Sequence, residues 1–190
     1  HEEEKMAVII MELAGQKQAD YYYPTFSGVA QSYNYYPVSY MQREEGIAFI
    51  ALGLGRTIVE GGKALRFSPK YPNILPQFYS VKSTIANSQN KFYALNLNNG
   101  NNPLREGEPN NLEQLHLKDA EEHGSLKYTA SVICNEDNII RDSLKNEGRR
   151  IITFSSILKF ESFPLANILQ DILEFGLQAM GCPVEIEYTV

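Results

Sequence analysis

The sequence has no tryptophan, only two cysteines and only three histidines in 190 residues. Cys134 and Cys182 form no C-x-x-C pair, and the histidines share no motif, so neither a zinc site nor a dithiol redox centre is expected. One disulfide is formally open, but two free thiols in a cytoplasmic protein is the simpler reading. No apolar run approaches the ~18 residues of a membrane span. The opening His1-Glu2-Glu3-Glu4-Lys5-Met6 is not the basic and then apolar start of a signal peptide. Positive charge is also scarce: 17 Lys and Arg face 23 Asp and Glu, a net charge of −6, which does not favour a nucleic-acid groove. A magnesium–nucleotide partner stays open, because the metal offsets phosphate charge. A strict glycine period and a sustained heptad are both missing, which removes collagen and coiled coil. What is present is 43% hydrophobic and 21% charged residues, enough to bury a core and too apolar for a disordered chain. The chain lacks an initial Met and stops at Tyr188-Thr189-Val190, which reads as mid-strand, so it is expected to be a piece of a longer protein.

Along the chain, Ala7-Val8-Ile9-Ile10-Met11 and Ile47 to Leu52 read as buried strands. The tyrosine-rich stretch Tyr21 to Tyr40 holds a strand around Ser27-Gly28-Val29-Ala30, bounded by Pro24 and Pro37. From Lys63 to about Arg149 prolines and an Asn-rich segment, Asn96 to Asn111, mark loops. Short strands are expected there around Leu112–Leu117, Leu126–Cys134 and Asn138–Ile140, and a short helix over Val81–Phe92. After a strand at Ile151–Phe154, Ser162 is the expected N-cap of a helix with Pro164 in its first turn. Leu165, Ile168, Leu169, Ile172 and Leu173 follow helical spacing and are expected to be buried, and Gly181 is the stop. Val184 to Val190 alternates, with Glu185, Glu187 and Thr189 on one face and Val184, Ile186 and Tyr188 on the other.

Few constellations carry chemistry by themselves. Gly53-Leu54-Gly55 after an apolar strand would let backbone approach a phosphate, or is simply a turn; it is neither G-x-G-x-x-G nor a Walker loop. Arg56 would pair with phosphate, or is a solvated surface arginine. Glu185 and Glu187 at i and i+2 would hold a divalent cation, or form an ordinary exposed strand face. The tyrosines would stack sugars or bases, or are half-buried sheet residues. Ser27 lacks a hydrolase nucleophile context.

Taken in order, four segments resemble a known family. Ala7-Val8-Ile9-Ile10, Ser27-Gly28-Val29-Ala30, Ile50 through Gly55 to Gly61, and Gly181-Cys182-Pro183-Val184-Glu185-Ile186-Glu187-Tyr188 are similar to the nucleotide-binding domain of phosphoenolpyruvate synthase and pyruvate, phosphate dikinase. That family carries a V-V-V-Q strand, an S-G-V-x-F-T segment, an A-S-x-G-L-G-E-x-V-V-x-G block and a G-x-P-x-D-I-E-W/F strand. The resemblance covers roughly residues 1–61 and 150–190.

The resemblance implies an α+β, ATP-grasp-like core fragment at 1–61 and 150–190, with 62–149 a β-rich, loop-rich insertion or elaboration of the same domain. It implies Mg²⁺ and ATP as cofactors. In the parent chain, ATP would phosphorylate a histidine on a swivelling phosphohistidine domain, and a pyruvate-binding domain would take the phosphoryl group onward to pyruvate. Glu187 falls on the family's metal- and phosphate-facing glutamate, and Glu185 on the acidic residue before it. Gly53, Gly55 and Arg56 fall on the phosphate-side block, and Met11 where the family has a glutamine near the adenine. Arg56 replaces the family's glutamate, and Gln31-Ser32 its Phe-Thr. The phosphate-binding Lys and Arg would precede His1, and an L-Q-x-R strand would follow Val190. This chain alone is therefore expected to be inactive. The alternatives are a non-catalytic nucleotide-binding or regulatory module, which Met11 and Arg56 suit, and a Tyr-rich β surface for glycans.

Overall fold

The many short apolar runs between turn residues fold as short strands. The computed structural model describes residues 7–8, 10–98, 111–134 and 137–190. In chain order the strands are β1 (Gln16–Gln18), β2 (Tyr21–Tyr23), β3 (Ser27–Gln31), β4 (Ile47–Ala51), β5 (Leu65–Phe67), β6 (Lys91–Asn96), β7 (Leu112–His116), β8 (Ala130–Cys134), β9 (Ile139–Arg141), β10 (Arg149–Ile152) and β11 (Glu185–Thr189). The helices are α1 (Arg56–Val59), α2 (Val81–Asn87), α3 (Leu117–Glu122), α4 (Ser155–Leu158) and α5 (Leu165–Met180). The class is α+β. Three antiparallel sheets have the orders β11-β3-β4-β5, β1-β2-β6-β7 and β10-β8-β9.

The first sheet joins the beginning and the end of the chain. Ile186 lies opposite Ala30, Ala30 opposite Ala48 and Ala48 opposite Phe67; the neighbouring row runs Tyr188, Gly28, Ile50, Leu65. Alternation sends these rows into the core and leaves the row Glu187, Val29, Phe49, Arg66 on the other face. One apolar cluster runs from Tyr23 and Phe26 through Ala30, Ile50, Phe67 and Phe92 to Ile152, Phe154 and Leu169, so the segment 62–149 contributes to the same core as both flanks.

Helix α5 packs on β3 through Leu165, Leu169 and Leu173, all buried. Gly181 ends it in the left-handed region at φ 66, its N–H donating to Leu177 O at 2.9 Å. Leu169→Ala is expected to cost about 2–5 kcal/mol through lost burial and the cavity left behind, measurable by urea denaturation. Ile168 and Ile172, expected in the stripe, are 38% and 45% exposed. They lie on a second line of helical spacing, rotated away from the sheet.

Other expectations are corrected by partners that lie far along the chain. Ala7, Val8, Ile10 and Met11 form no strand, and Val8, Ile10 and Met11 are 77%, 91% and 82% exposed; Ile9 lies outside the described residues. A strand needs a partner for its backbone groups, and none pairs with these residues among the described residues. The helix expected over Val81–Phe92 ends at Asn87, and Lys91–Asn96 is instead the central strand β6. Most of the Asn-rich loop lies outside the described residues. Only Ala130–Cys134 of the expected strand at Leu126–Cys134 is extended. β10 begins two residues before the expected strand and stops at Ile152, because Phe154 turns left-handed at φ 53 to start α4. The N-cap of α5 is Pro164, while the Ser162 hydroxyl bonds that of Ser156 at 2.8 Å. Among the described residues no helix is long and apolar enough to cross a membrane.

Candidate functional site

Glu187 sits in the middle of β11, opposite Val29, with its carboxylate exposed on the open row of the sheet. No hydrogen bond or ion pair within the described residues engages it. Its neighbour on the same face, Glu185, accepts a hydrogen bond from the Gln31 side-chain amide across the strand pair. The two flanking residues on the other face do the anchoring. Tyr188 lies over Gly28 and donates to Phe49 O at 2.8 Å, and burial pushes its hydroxyl pKa far up. β11 is thus held rigidly from below while its upper face stays open. Its other edge has no partner strand among the described residues.

β4 runs parallel to β11, one strand removed, and leads into Gly53-Leu54-Gly55 level with Ser27 and Thr189. The two glycines have different reasons. Gly53 has φ 77, and a Cβ there would lie 2.7 Å from both Phe92 Cδ2 and Tyr93 O, so the fold itself demands glycine. Gly55 is in the ordinary helical region at φ −61, and a Cβ there would meet only Ser27 Cβ, at 3.7 Å. Among the described residues only that ordinary contact meets a side chain placed at 55, while the Gly55 carbonyl accepts from Ile58 N at 2.9 Å as α1 begins. Gln89, buried, clamps the start of this loop: its side chain accepts from Leu52 N at 2.8 Å and donates to Leu52 O at 3.0 Å.

Arg56 follows, and it is engaged within the fold. Its Nε donates to Glu60 Oε1 at 2.5 Å, its guanidinium lies 5.5 Å from the Tyr93 ring centroid, and the Tyr93 hydroxyl donates to Glu60 Oε2 at 2.6 Å. The Tyr93 hydroxyl and then the Arg56 guanidinium hold the Glu60 carboxyl below its usual pKa, while Glu60 raises that of Tyr93. The sequence signal for two of these three residues was available, because Arg56 and Glu60 stand at i and i+4. Tyr93 and Gln89 come from remote chain and carried no signal.

The remaining candidates lie elsewhere. Met11 is exposed ahead of β1, which belongs to a different sheet from Glu187. His123 accepts or donates at 2.8 Å with the Tyr23 hydroxyl, a packing role, and His116 lies at the end of β7. Both cysteines are free thiols. No cluster of three or more His, Cys, Asp or Glu suited to a metal occurs among the described residues. A magnesium ion here would therefore be held by one or two strand carboxylates together with phosphate oxygens and water, the usual manner for this metal, rather than by a protein cage.

No curated protein and no solved structure matches this chain. One family model does, over residues 1–190, described as "Pyruvate phosphate dikinase, AMP/ATP-binding domain". The match runs over the whole length, and the chain belongs to the family of pyruvate phosphate dikinase AMP/ATP-binding domains.

Proposed function

We propose that this chain is the part of an ATP-grasp-like domain that holds the phosphate and metal side of an adenine nucleotide. The core of that domain is made by 1–61 and 150–190, and 62–149 is an elaboration of it. The observation that carries the reading is Glu187: an exposed carboxylate with no partner among the described residues, on the strand β11 of the sheet whose strand β4 feeds the Gly53–Gly55 loop. Glu187 would hold Mg²⁺ beside the phosphates, with Glu185 steadied by Gln31 as a further oxygen donor. The ion would neutralise charge on the transferred phosphoryl group. The chain's own task is positioning: Gly55 leaves the space beside its Cα free for a ligand, and Gln89 fixes the loop. Met11 would lie towards the adenine. In the parent protein, cytoplasmic in this reading, the phosphoryl acceptor is a histidine of a phosphohistidine domain, on the way to pyruvate and phosphoenolpyruvate.

Gly55→Ala tests this reading. In a helical conformation with open space around it, the methyl group is expected to leave stability unchanged or raise it by about 0.4–1 kcal/mol. If nucleotide phosphates approach this backbone, the same methyl should weaken ATP binding by at least about tenfold, followed by amide shifts in a Mg-ATP titration. Equal affinity in the variant would place the nucleotide elsewhere.

A second reading, a nucleotide-binding module without phosphoryl transfer, is favoured by one observation. Arg56 stands where the family has glutamate and is committed to Glu60 and Tyr93. A parent that binds ATP but transfers no phosphoryl group would support it. For this chain alone the expected outcome is weak binding. Each absent charge-assisted phosphate contact removes roughly 1.5–3 kcal/mol, so two or three move a micromolar site to about millimolar. Tight Mg-ATP binding to the 190 residues by calorimetry would contradict it.

A further inference from the structure

Away from the open face, a cleft of ≈ 380 Å³ lies between the start of β10, the α2–β6 turn and the β7–α3 junction. That volume is within the range of small-molecule sites. Although the chain is net acidic, this cleft is not: Lys63, Lys118, Arg149 and Arg150 line it together with His116, against a single carboxylate, Glu121. The cations are only partly compensated. Glu121 is taken by Arg150 Nε at 2.8 Å, and Lys118 reaches Glu122 at 3.5 Å in an exposed pair. Lys63 Nζ donates to the neutral carbonyl of Ala86 at 2.7 Å, and Arg149 is exposed. The walls are rigid. Ser88 Oγ donates to Ile152 O at 2.6 Å, and buried Gln89 bonds both Leu52 and Lys91 O, so neither collapses into the space.

We propose that this cleft binds a small phosphate-bearing anion as an effector. Lys63 and Arg149, lining one concave, polar space beside the ion-paired Lys118 and Arg150, match the charge and several acceptor oxygens of such a ligand. None of the lining residues is Gly53, Gly55, Arg56, Glu185 or Glu187, so the site is separate from the one assigned to nucleotide. Its occupant is connected to that site all the same. Gln89 lines the cleft and also grips the backbone of Leu52, the residue before Gly53, so the two places share one rigid side chain.

The test is a titration of the ¹⁵N-labelled chain with inorganic pyrophosphate at constant ionic strength. Saturable amide shifts at Lys63, Asn90, Lys118 and Arg149 are expected. The double variant Lys63→Met/Arg149→Gln, altering exposed side chains only, should weaken that binding by at least about tenfold while its melting temperature stays unchanged. Lys17→Met, outside the cleft, should bind as the parent does. Shifts that rise without saturation, that survive in the double variant, or that fall only at Gly55 and Glu187 would overturn the proposal. The last of these outcomes would leave the nucleotide reading standing.

Discussion

Glu187→Gln, in an intact protein carrying this domain, is expected to reduce ATP-dependent phosphoryl transfer by roughly 10²–10³-fold, the usual effect of deleting one preorganised charge-stabilising group. The fold should barely respond. The carboxylate is exposed and makes no bond within the described structure, and a surface change of this kind lies within about ±0.5 kcal/mol. The strand is fixed by Tyr188 and Ile186 beneath, so the amide will occupy the same place as the acid. What changes is the hard anionic oxygen that Mg²⁺ requires. Raising the magnesium concentration should recover part of the lost rate in Glu187→Gln, whereas a substitution acting only through ATP affinity would not respond to metal. Normal transfer by the variant would remove Glu187 from the site and return Glu185 and Glu187 to a solvated strand face.

Legibility in the sequence followed the range of the interactions. β3, β4 and β11 were readable because alternation and turn residues are local, and α5 because its helical spacing and Gly181 are local too. The choice of which α5 stripe faces the sheet was not. Leu165, Leu169 and Leu173 compete with Ile168, Ile172 and Phe175, both at helical spacing, and only the position of β3 decides between them. β6 was hidden because Lys91-Phe92-Tyr93-Ala94-Leu95-Asn96 follows α2 without a glycine or proline, and its apolar alternation rests on Phe92 and the small Ala94. Ala7, Val8, Ile10 and Met11 failed in the opposite way: they are apolar, but hydrophobicity by itself supplies no strand partner, and none is present among the described residues. At the site, the exposed face of β11 was readable from i, i+2 spacing. The commitment of Arg56 to Tyr93, and of Gln89 to Leu52, depends on segments 37 residues away in each case and on no motif.

The pairing of Gly28 with Tyr188 is the longest-range of these relations and has the largest consequence for stability. The two residues belong to separate motifs, Ser27-Gly28-Val29 and Ile186-Glu187-Tyr188, yet they lie opposite each other in adjacent strands. A Cβ on Gly28 would stand 2.0 Å from Tyr188 Cζ, 2.2 Å from its hydroxyl oxygen and 2.3 Å from Phe49 O. The glycine is required because the end of the tyrosine ring occupies the place of its Cβ. Gly28→Val is therefore expected to expel the ring. The loss combines about 1.5–3 kcal/mol of apolar burial, about 0.5–1.5 kcal/mol for the hydrogen bond to Phe49 O, and strain against a carbonyl that cannot swing aside. Together these approach the whole stability of a small domain, and the variant should unfold without a cooperative transition or fail to accumulate. Gly28→Ala, with one carbon in place of three, keeps the question measurable. It should destabilise by about 1–3 kcal/mol, and by less when combined with Tyr188→Ala, because the ring it displaces is already gone; the remainder is the contact with Phe49 O. Additive effects of the two substitutions would show that the glycine is not there for the ring. Coupling would tie the stability of β11 to Gly28, and with it the position of Glu187, whose neighbours across the strand pair are Val29 and, one residue on, Gly28 itself.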